Sequence, residues 1–198
     1  QGEGVVAYIV DTGVLITHND FKGRATFGWK AQNEWSNTDR NGHGTHVAST
    51  VAGALYGLAK KAEIVAVKVL SDSGSGSWAG VIAGMDYVIA QHKAKGKPSV
   101  ANLSLGGGKN QAVNAAVDAA VAAGVVVAVA AGNENNNACN VSPASAKEPI
   151  TVGSTDNKDA RSYFSNYGEC TDIFAPGSAI KGAWSTSDSA TNTISGTS

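Results

Sequence analysis

Residues 4–10 and 125–131 are apolar throughout, and residues 63–70 and 99–105 are apolar at most positions. Short, β-branched runs of this kind predict strands buried on both faces of a sheet. Between them the hydrophobic spacing changes to that of helices. Val81, Ile82, Met85, Val88 and Ile89 predict a helix over 78–95, and Val113, Val117 and Val121 predict one over 110–123, stopped by Gly124. A third helix is predicted after His43, where Val47, Ala48, Val51, Ala52, Ala54 and Leu55 follow a turn-like run. Residues 18–40 show no sustained period and read as surface loops. Beyond residue 131 the pattern is loop-rich, with short strands expected at 150–154 and 171–175. Strands alternating with helices predict an α/β fold, with a mostly parallel central sheet and helices on both faces. No internal repeat or linker divides residues 1–198, so the expectation is a single domain.

Composition narrows the function. The chain has 198 residues, 42% hydrophobic and 16% charged, with a net charge of -1. That balance gives no electrostatic footprint for nucleic acid or an anionic membrane. No apolar run approaches the roughly 20 residues of a membrane span. The first residues run into a buried strand without the pattern of a secretion signal. Glycine is abundant and proline scarce, 24 against 4, which favours tight turns and backbone-lined surfaces. Cys139 and Cys170 are either one disulfide, favouring an extracytoplasmic setting, or two buried thiols.

Candidate chemistry centres on Asn41-Gly-His-Gly-Thr-His46. Gly42 and Gly44 clear the space on either side of His43, and a neutral imidazole at a helix start can act as a general base. A metal reading of His43 and His46 lacks any His-Glu-x-x-His pattern or cysteine cluster. Asp11-Thr-Gly13 ends the first strand, where open α/β sheets carry their sites, although a turn-forming aspartate reads the same way. Residues 74–79, Gly-Ser-Gly-Ser-Trp-Ala, fit a loose dinucleotide fingerprint. The acidic residue that should follow about 20 positions later is missing. Two more stretches bear on the question: Ala130-Ala-Gly-Asn133 ends the fourth strand, and Ser195-Gly-Thr-Ser198 carries a serine after a small-residue turn. Asp11, His43 and Ser198 stand in the carboxylate, base, nucleophile order of one serine-hydrolase arrangement.

With these stretches together the chain resembles the subtilisin-like serine proteases, within them the proteinase K branch, and there the bacterial aqualysin-type enzymes. The matching text is Val10-Asp-Thr-Gly-Val14, Asn41-Gly-His-Gly-Thr-His-Val47, Asn102-Leu-Ser-Leu-Gly-Gly107, Ala131-Gly-Asn133, Ser142-Pro-Ala-Ser145, Phe164-Ser-Asn-Tyr-Gly168 and Gly196-Thr-Ser198, in the family's order along the whole chain. The resemblance implies a subtilisin-like three-layer fold and a secreted, monomeric endopeptidase that acts on polypeptides and needs no cofactor for catalysis. Ser198 would be the nucleophile, His43 the base, Asp11 its orienting carboxylate, and the Asn133 amide an oxyanion donor.

Further details follow from the same resemblance. Gly74, Ser75, Gly76, Ser77 and Trp78 would form one substrate-binding edge, and Ser104, Leu105, Gly106 and Gly107 the other. Ala130, Ala131 and Gly132 would wall a first pocket with no charge at its base, favouring apolar or aromatic residues. A structural calcium is implied at the Asp172 carboxylate and the carbonyls of Lys147 and Pro149, the alternative being that Asp172 caps a turn. A Cys139–Cys170 disulfide is implied as well. A second disulfide of aqualysin-type relatives aligns with Arg40 and Asp72, either an ion pair in its place or two solvated charges.

By the same comparison the chain is expected to be an internal fragment, lacking an N-terminal segment, the part after the nucleophile, and an inhibitory pro-segment. On its own it is expected to be inactive. The remaining alternatives are a non-catalytic binding module on the same scaffold and a Rossmann-type NAD-binding oxidoreductase.

Overall fold

The computed structural model describes all residues, 1–198. They form two compact units, residues 1–102 with 181–192 and residues 103–180 with 193–198.

In the first unit, β1 (Val6–Asp11), β2 (Ala25–Lys30), β3 (Glu63–Lys68) and β4 (Ser99–Leu103) lie in the order β2-β3-β1-β4. Every pairing among them is parallel. β1 is buried at all its positions, as its unbroken apolar run requires. The two-residue period of a strand sends alternate side chains to opposite faces, and both faces are covered. Ile64 and Ala66 of β3 join Val47, Ala48 and Ala52 of α1 (His43–Ala52) in one core, with Ile9, Val14 and Phe21. Val67 points the other way, toward α2 (Trp78–Lys95), where a Cβ on Gly84 would lie 3.3 Å from Val67 Cγ1 and 2.6 Å from Val69 Cγ1. Glycine at 84 therefore lets α2 approach the sheet.

The predicted loop over 18–40 is corrected by β2, which pairs with β3 and shifts register between Phe27 and Trp29. Only Ala25 of β2 is buried. A strand so little buried carries no clear alternation, and Gly28 interrupts it because a Cβ there would meet Val65 Cγ1 at 2.6 Å. A 3-10 turn, Asn19–Phe21, also lies in this region.

In the second unit, β6 (Val126–Ala130), β8 (Ile150–Thr155) and β9 (Ile173–Pro176) are adjacent and parallel. β5 (Gly107–Gly108) pairs antiparallel with β7 (Val141–Ser142). α3 (Gln111–Ala122) packs against β6 and buries Val113, Val117 and Ala120. Asn110 caps it, its side chain accepting from Val113 N–H at 3.1 Å, and Gly124 follows with φ 101°. The strand expected over 99–105 ends at Leu103, and the one expected over 171–175 runs from Ile173 to Pro176. Four short strands had no sequence signal: β5, β7, β10 (Ile180–Ala183) and β11 (Thr191–Ile194). Cys139 and Cys170 are joined, with Cα atoms 5.3 Å apart, so the two-thiol alternative is set aside.

Candidate active site

The first unit supplies a carboxylate and an imidazole. Asp11 ends β1 with no exposure to solvent, in register with Lys68 of β3. His43 opens α1, and its Nδ1 lies 2.8 Å from Asp11 Oδ1 and 3.0 Å from Oδ2. Thr12 N–H donates to the same Oδ1 at 2.7 Å. This network makes Nδ1 the protonated nitrogen and leaves Nε2 as the one able to take a proton. Burial pushes the His43 pKa down, but the Asp11 charge, the hydrogen bond to Asp11 and the charge of Asp39 together hold it above the usual 6.5.

The glycines beside His43 act as the sequence suggests. Gly42 takes φ 112°, and a Cβ on it would run into the Trp184 indole. A Cβ on Gly44 would collide with the Gly13 carbonyl. His46 is buried edge-on against Trp184 at 6.4 Å and stands apart from any metal cluster.

Two residues absent from the sequence reading organise this region. Asp39 is 1% exposed and accepts from Thr12 Oγ1, Asn41 N–H, Gly42 N–H, Thr45 N–H and Thr45 Oγ1. Its only trace in the sequence was an aspartate two places before Asn41 and three before Gly42, a turn signal among many. Lys68 is fully buried, donates to the Thr12 carbonyl, and pairs with Asp72 Oδ1 at 2.8 Å. This pairing corrects the Arg40–Asp72 ion pair. Arg40 reaches Asp72 through its backbone N–H, at 3.4 Å, while Asn41 Nδ2 donates to the Asp72 carbonyl at 3.0 Å. Lys68 wins the carboxylate because its buried ammonium needs a counter-charge more than an exposed guanidinium does.

Residues 73–77 form an exposed loop closed by Gly74 N–H to the Ser71 carbonyl at 2.9 Å. Gly74 takes φ 82°. Ser77 caps α2, accepting from Gly80 N–H at 3.0 Å, and Trp78 is the helix's first residue.

In the second unit, Asn133 Oδ1 accepts from Thr197 N–H at 2.9 Å and from Thr197 Oγ1 at 3.0 Å. The Thr197 hydroxyl also accepts from Gly132 N–H at 3.1 Å. With its oxygen held this way, the Asn133 amide has only its Nδ2 hydrogens to offer elsewhere. A Cβ built on Gly196 would lie 3.7 Å from Asn133 Nδ2, from Ser198 N and from Ser198 Oγ, so the three groups surround one point.

Ala130 ends β6 and Ala131 is buried behind it. Gly132 takes φ 104°, and a Cβ there would collide with Asn166 Nδ2. Buried Asn166 ties this loop together: it donates to the Ala131 carbonyl at 2.9 Å and to Glu134 Oε2 at 2.6 Å, and accepts from Glu134 and Asn136 N–H. The Glu134 carboxylate thus stands against Gly132, a charge that the reading of residues 130–132 did not foresee. Ser104 is buried, Leu105 half-buried and Gly106 exposed, and Gly107 is already paired on one side with Ser142.

For the implied calcium, Asp172 Oδ2 accepts from Thr151 N–H at 2.8 Å, as the turn-capping alternative requires. No group of three or more His, Cys, Asp or Glu side chains could hold a metal. A cation at Asp172 would therefore depend on backbone oxygens such as those of Lys147 and Pro149, a donor set that suits calcium.

Comparisons with known proteins agree on what this arrangement belongs to. The family model described as "Subtilase family" (peptidase S8) matches residues 2–198. An alkaline protease of Aspergillus fumigatus, "Alkaline protease 2", is 54% identical over 208 residues, covering 100% of this chain and 42% of that protein. A subtilisin-like proteinase of Pyricularia oryzae is 55% identical, again over all of this chain but 39% of its own length. A crystal structure described as a cold adapted subtilisin-like serine proteinase superposes with TM-score 0.92 at 51% identity, covering 99% of this chain and 70% of the other. The chain thus spans about two fifths of the length of these curated relatives.

Proposed function

The chain belongs to the subtilase family, and from that premise we propose that the whole protein is a secreted serine endopeptidase. Family membership replaces the dinucleotide-binding reading of residues 74–79. The observation that carries the proposal is the contact of His43 Nδ1 with the buried Asp11 carboxylate at 2.8 Å.

In this reading Ser198 Oγ attacks the scissile carbonyl and His43 Nε2 accepts its proton. The resulting imidazolium is held by Asp11, then returns the proton to the leaving amine, and water releases the acyl group by the same route. Asn133 Nδ2, oriented by Thr197, and the Ser198 N–H donate to the developing oxyanion. Gly74 to Trp78 and Ser104 to Gly107 pair with the substrate backbone, and Ala130, Ala131 and Gly132 wall the pocket for an apolar or aromatic residue, the Glu134 carboxylate beside Gly132 being taken up by the Asn166 amide. The disulfide supports an oxidising, extracellular setting. A calcium ion at Asp172, Lys147 and Pro149 would serve stability rather than chemistry.

The test uses the full-length enzyme. A serine-directed fluorophosphonate is expected to label Ser198, and Ser198→Ala to lose cleavage of casein by several orders of magnitude. Labelling at another residue, or retained activity in Ser198→Ala, rejects the assignment. A folded protein that binds peptides but takes no label is a binding module instead.

A further inference from the structure

Asp39 is a buried carboxylate to which the proposed hydrolytic steps give no part. Burying a carboxylate is costly unless donors surround it, and here they come from two elements. Oδ1 accepts from Thr12 Oγ1 at 2.9 Å, Asn41 N–H at 3.0 Å and Gly42 N–H at 2.9 Å. Oδ2 accepts from Thr45 N–H at 3.0 Å and Thr45 Oγ1 at 2.7 Å. The residue that should cap α1, Gly42, has no side chain to do so. Asp39 supplies the missing cap from three positions upstream, with a negative charge at the helix start.

The link to Thr12 gives the cap a second consequence. Thr12 Oγ1 donates to Asp39 and accepts from Gly44 N–H at 3.0 Å, while Thr12 N–H holds Asp11 Oδ1. One carboxylate thereby fixes the backbone on both sides of the Asp11–His43 contact. We propose that Asp39 is a positioning residue for the Asp11–His43 pair, locking the end of β1 to the start of α1 and placing a second negative charge behind the imidazole. This inference rests on the protease reading above. The charges that act on His43 are Asp11 from β1 and Asp39 from the turn before α1. Lys68 of β3 stands behind the Thr12 carbonyl and is paired with Asp72.

An amide at position 39 cannot replace the carboxylate. Either orientation turns an NH2 group toward at least one backbone N–H, in a site closed to water. A group that only stabilised the turn would cost stability but leave the titration of His43 where it was. One that also acts on the imidazole must move it, because loss of a negative charge makes the imidazolium easier to deprotonate.

The experiment measures kcat and KM of the full-length enzyme on a chromogenic peptide across pH, with thermal melts to confirm folding. Asp39→Asn is expected to lower kcat on the order of 10²-fold, with KM within about twofold. The acid limb of its kcat/KM profile should move to lower pH. Asp39→Glu keeps the charge, and should keep the limb in place with an intermediate kcat. A folded Asp39→Asn enzyme with wild-type kcat and an unmoved limb overturns the proposal. Should Asp39→Asn fail to fold, Thr12→Val tests the same link with the cap intact. It is expected to lose kcat without moving the limb, and wild-type kcat there overturns the proposal. Wild-type enzyme that neither cleaves nor takes a label at Ser198 rejects the protease reading, and the role of Asp39 with it. An active, labelled wild type beside an indifferent Asp39→Asn rejects the role of Asp39 alone.

Discussion

His43 shows how one residue's surroundings set both chemistry and stability. Burial alone would make it a weaker base, yet two carboxylates reverse the sign and raise its pKa above 6.5. A raised folded-state pKa stabilises the fold where the group is protonated in both states. That contribution is complete below 6.5 and disappears as pH rises through the folded value. Thermal melts of the full-length protein, in a Ser198→Ala background to prevent autolysis, should therefore show His43→Ala more destabilising near about pH 5 than near about pH 8. An equal cost at both ends would mean that the imidazole gains no charge interaction on folding. At the same scale, Asn133 and Ser198 could be proposed from the sequence because their motifs are local. Thr197 and Asn166, which orient the amide and the 131–136 loop, could not, since their partners lie far away along the chain.

Among the elements, the turn before α1 and the loop after β3 are joined by a small charged network. Lys68 is buried, and its ammonium has Asp72 and the Thr12 carbonyl as partners. The neighbouring lysine and arginine hold the Asp72 carboxyl below its usual range against the opposing effect of burial. Asp72→Ala would leave a buried ammonium without its counter-charge, and is expected to cost about 1–3 kcal/mol in denaturant unfolding. Arg40→Ala should stay within about 0.5 kcal/mol, because the contact it makes with Asp72 is through its backbone. A large loss on Arg40→Ala that is not additive with the loss on Asp72→Ala would return the charge–charge tether that the alignment of Arg40 with Asp72 suggested. The elements themselves were legible where burial imposes a pattern. β1 and β3 are buried almost throughout and α2 and α3 bury one apolar stripe, and each matches its hydrophobic pattern within a residue or two at each end. β2, β10 and β11 escaped notice because their half-exposed side chains impose no period, and their pairing partners are set by the fold.

On the scale of the whole molecule, long-range links add to what the cores supply. The Cys139–Cys170 bond spans 31 positions, a loop whose closure in the unfolded chain is worth roughly 3–4 kcal/mol. The calcium proposed at Asp172 would act the same way, by binding the folded state alone. Chelation of the full-length enzyme should lower its melting temperature, and Asp172→Ala should remove most of that response. A melt indifferent to chelator would leave Asp172 as the cap of Thr151 and nothing more.

The sequence by itself determined the α/β alternation and the family resemblance, and put forward Asp11, His43, Asn133 and Ser198 as the site residues proposed above. Each of these rests on local pattern, either a run of buried residues or a short motif whose glycines are needed where they stand. Only the tertiary structure decided which carboxylate Lys68 pairs with, that Asp39 caps α1 in place of Gly42, and that Glu134 lies against Gly132. These pairs are close in sequence, but their geometry is fixed by partners tens of residues away, Thr12 for Lys68 and Asp39 and Asn166 for Glu134, a competition settled by three-dimensional proximity and desolvation, which no spacing along the chain records.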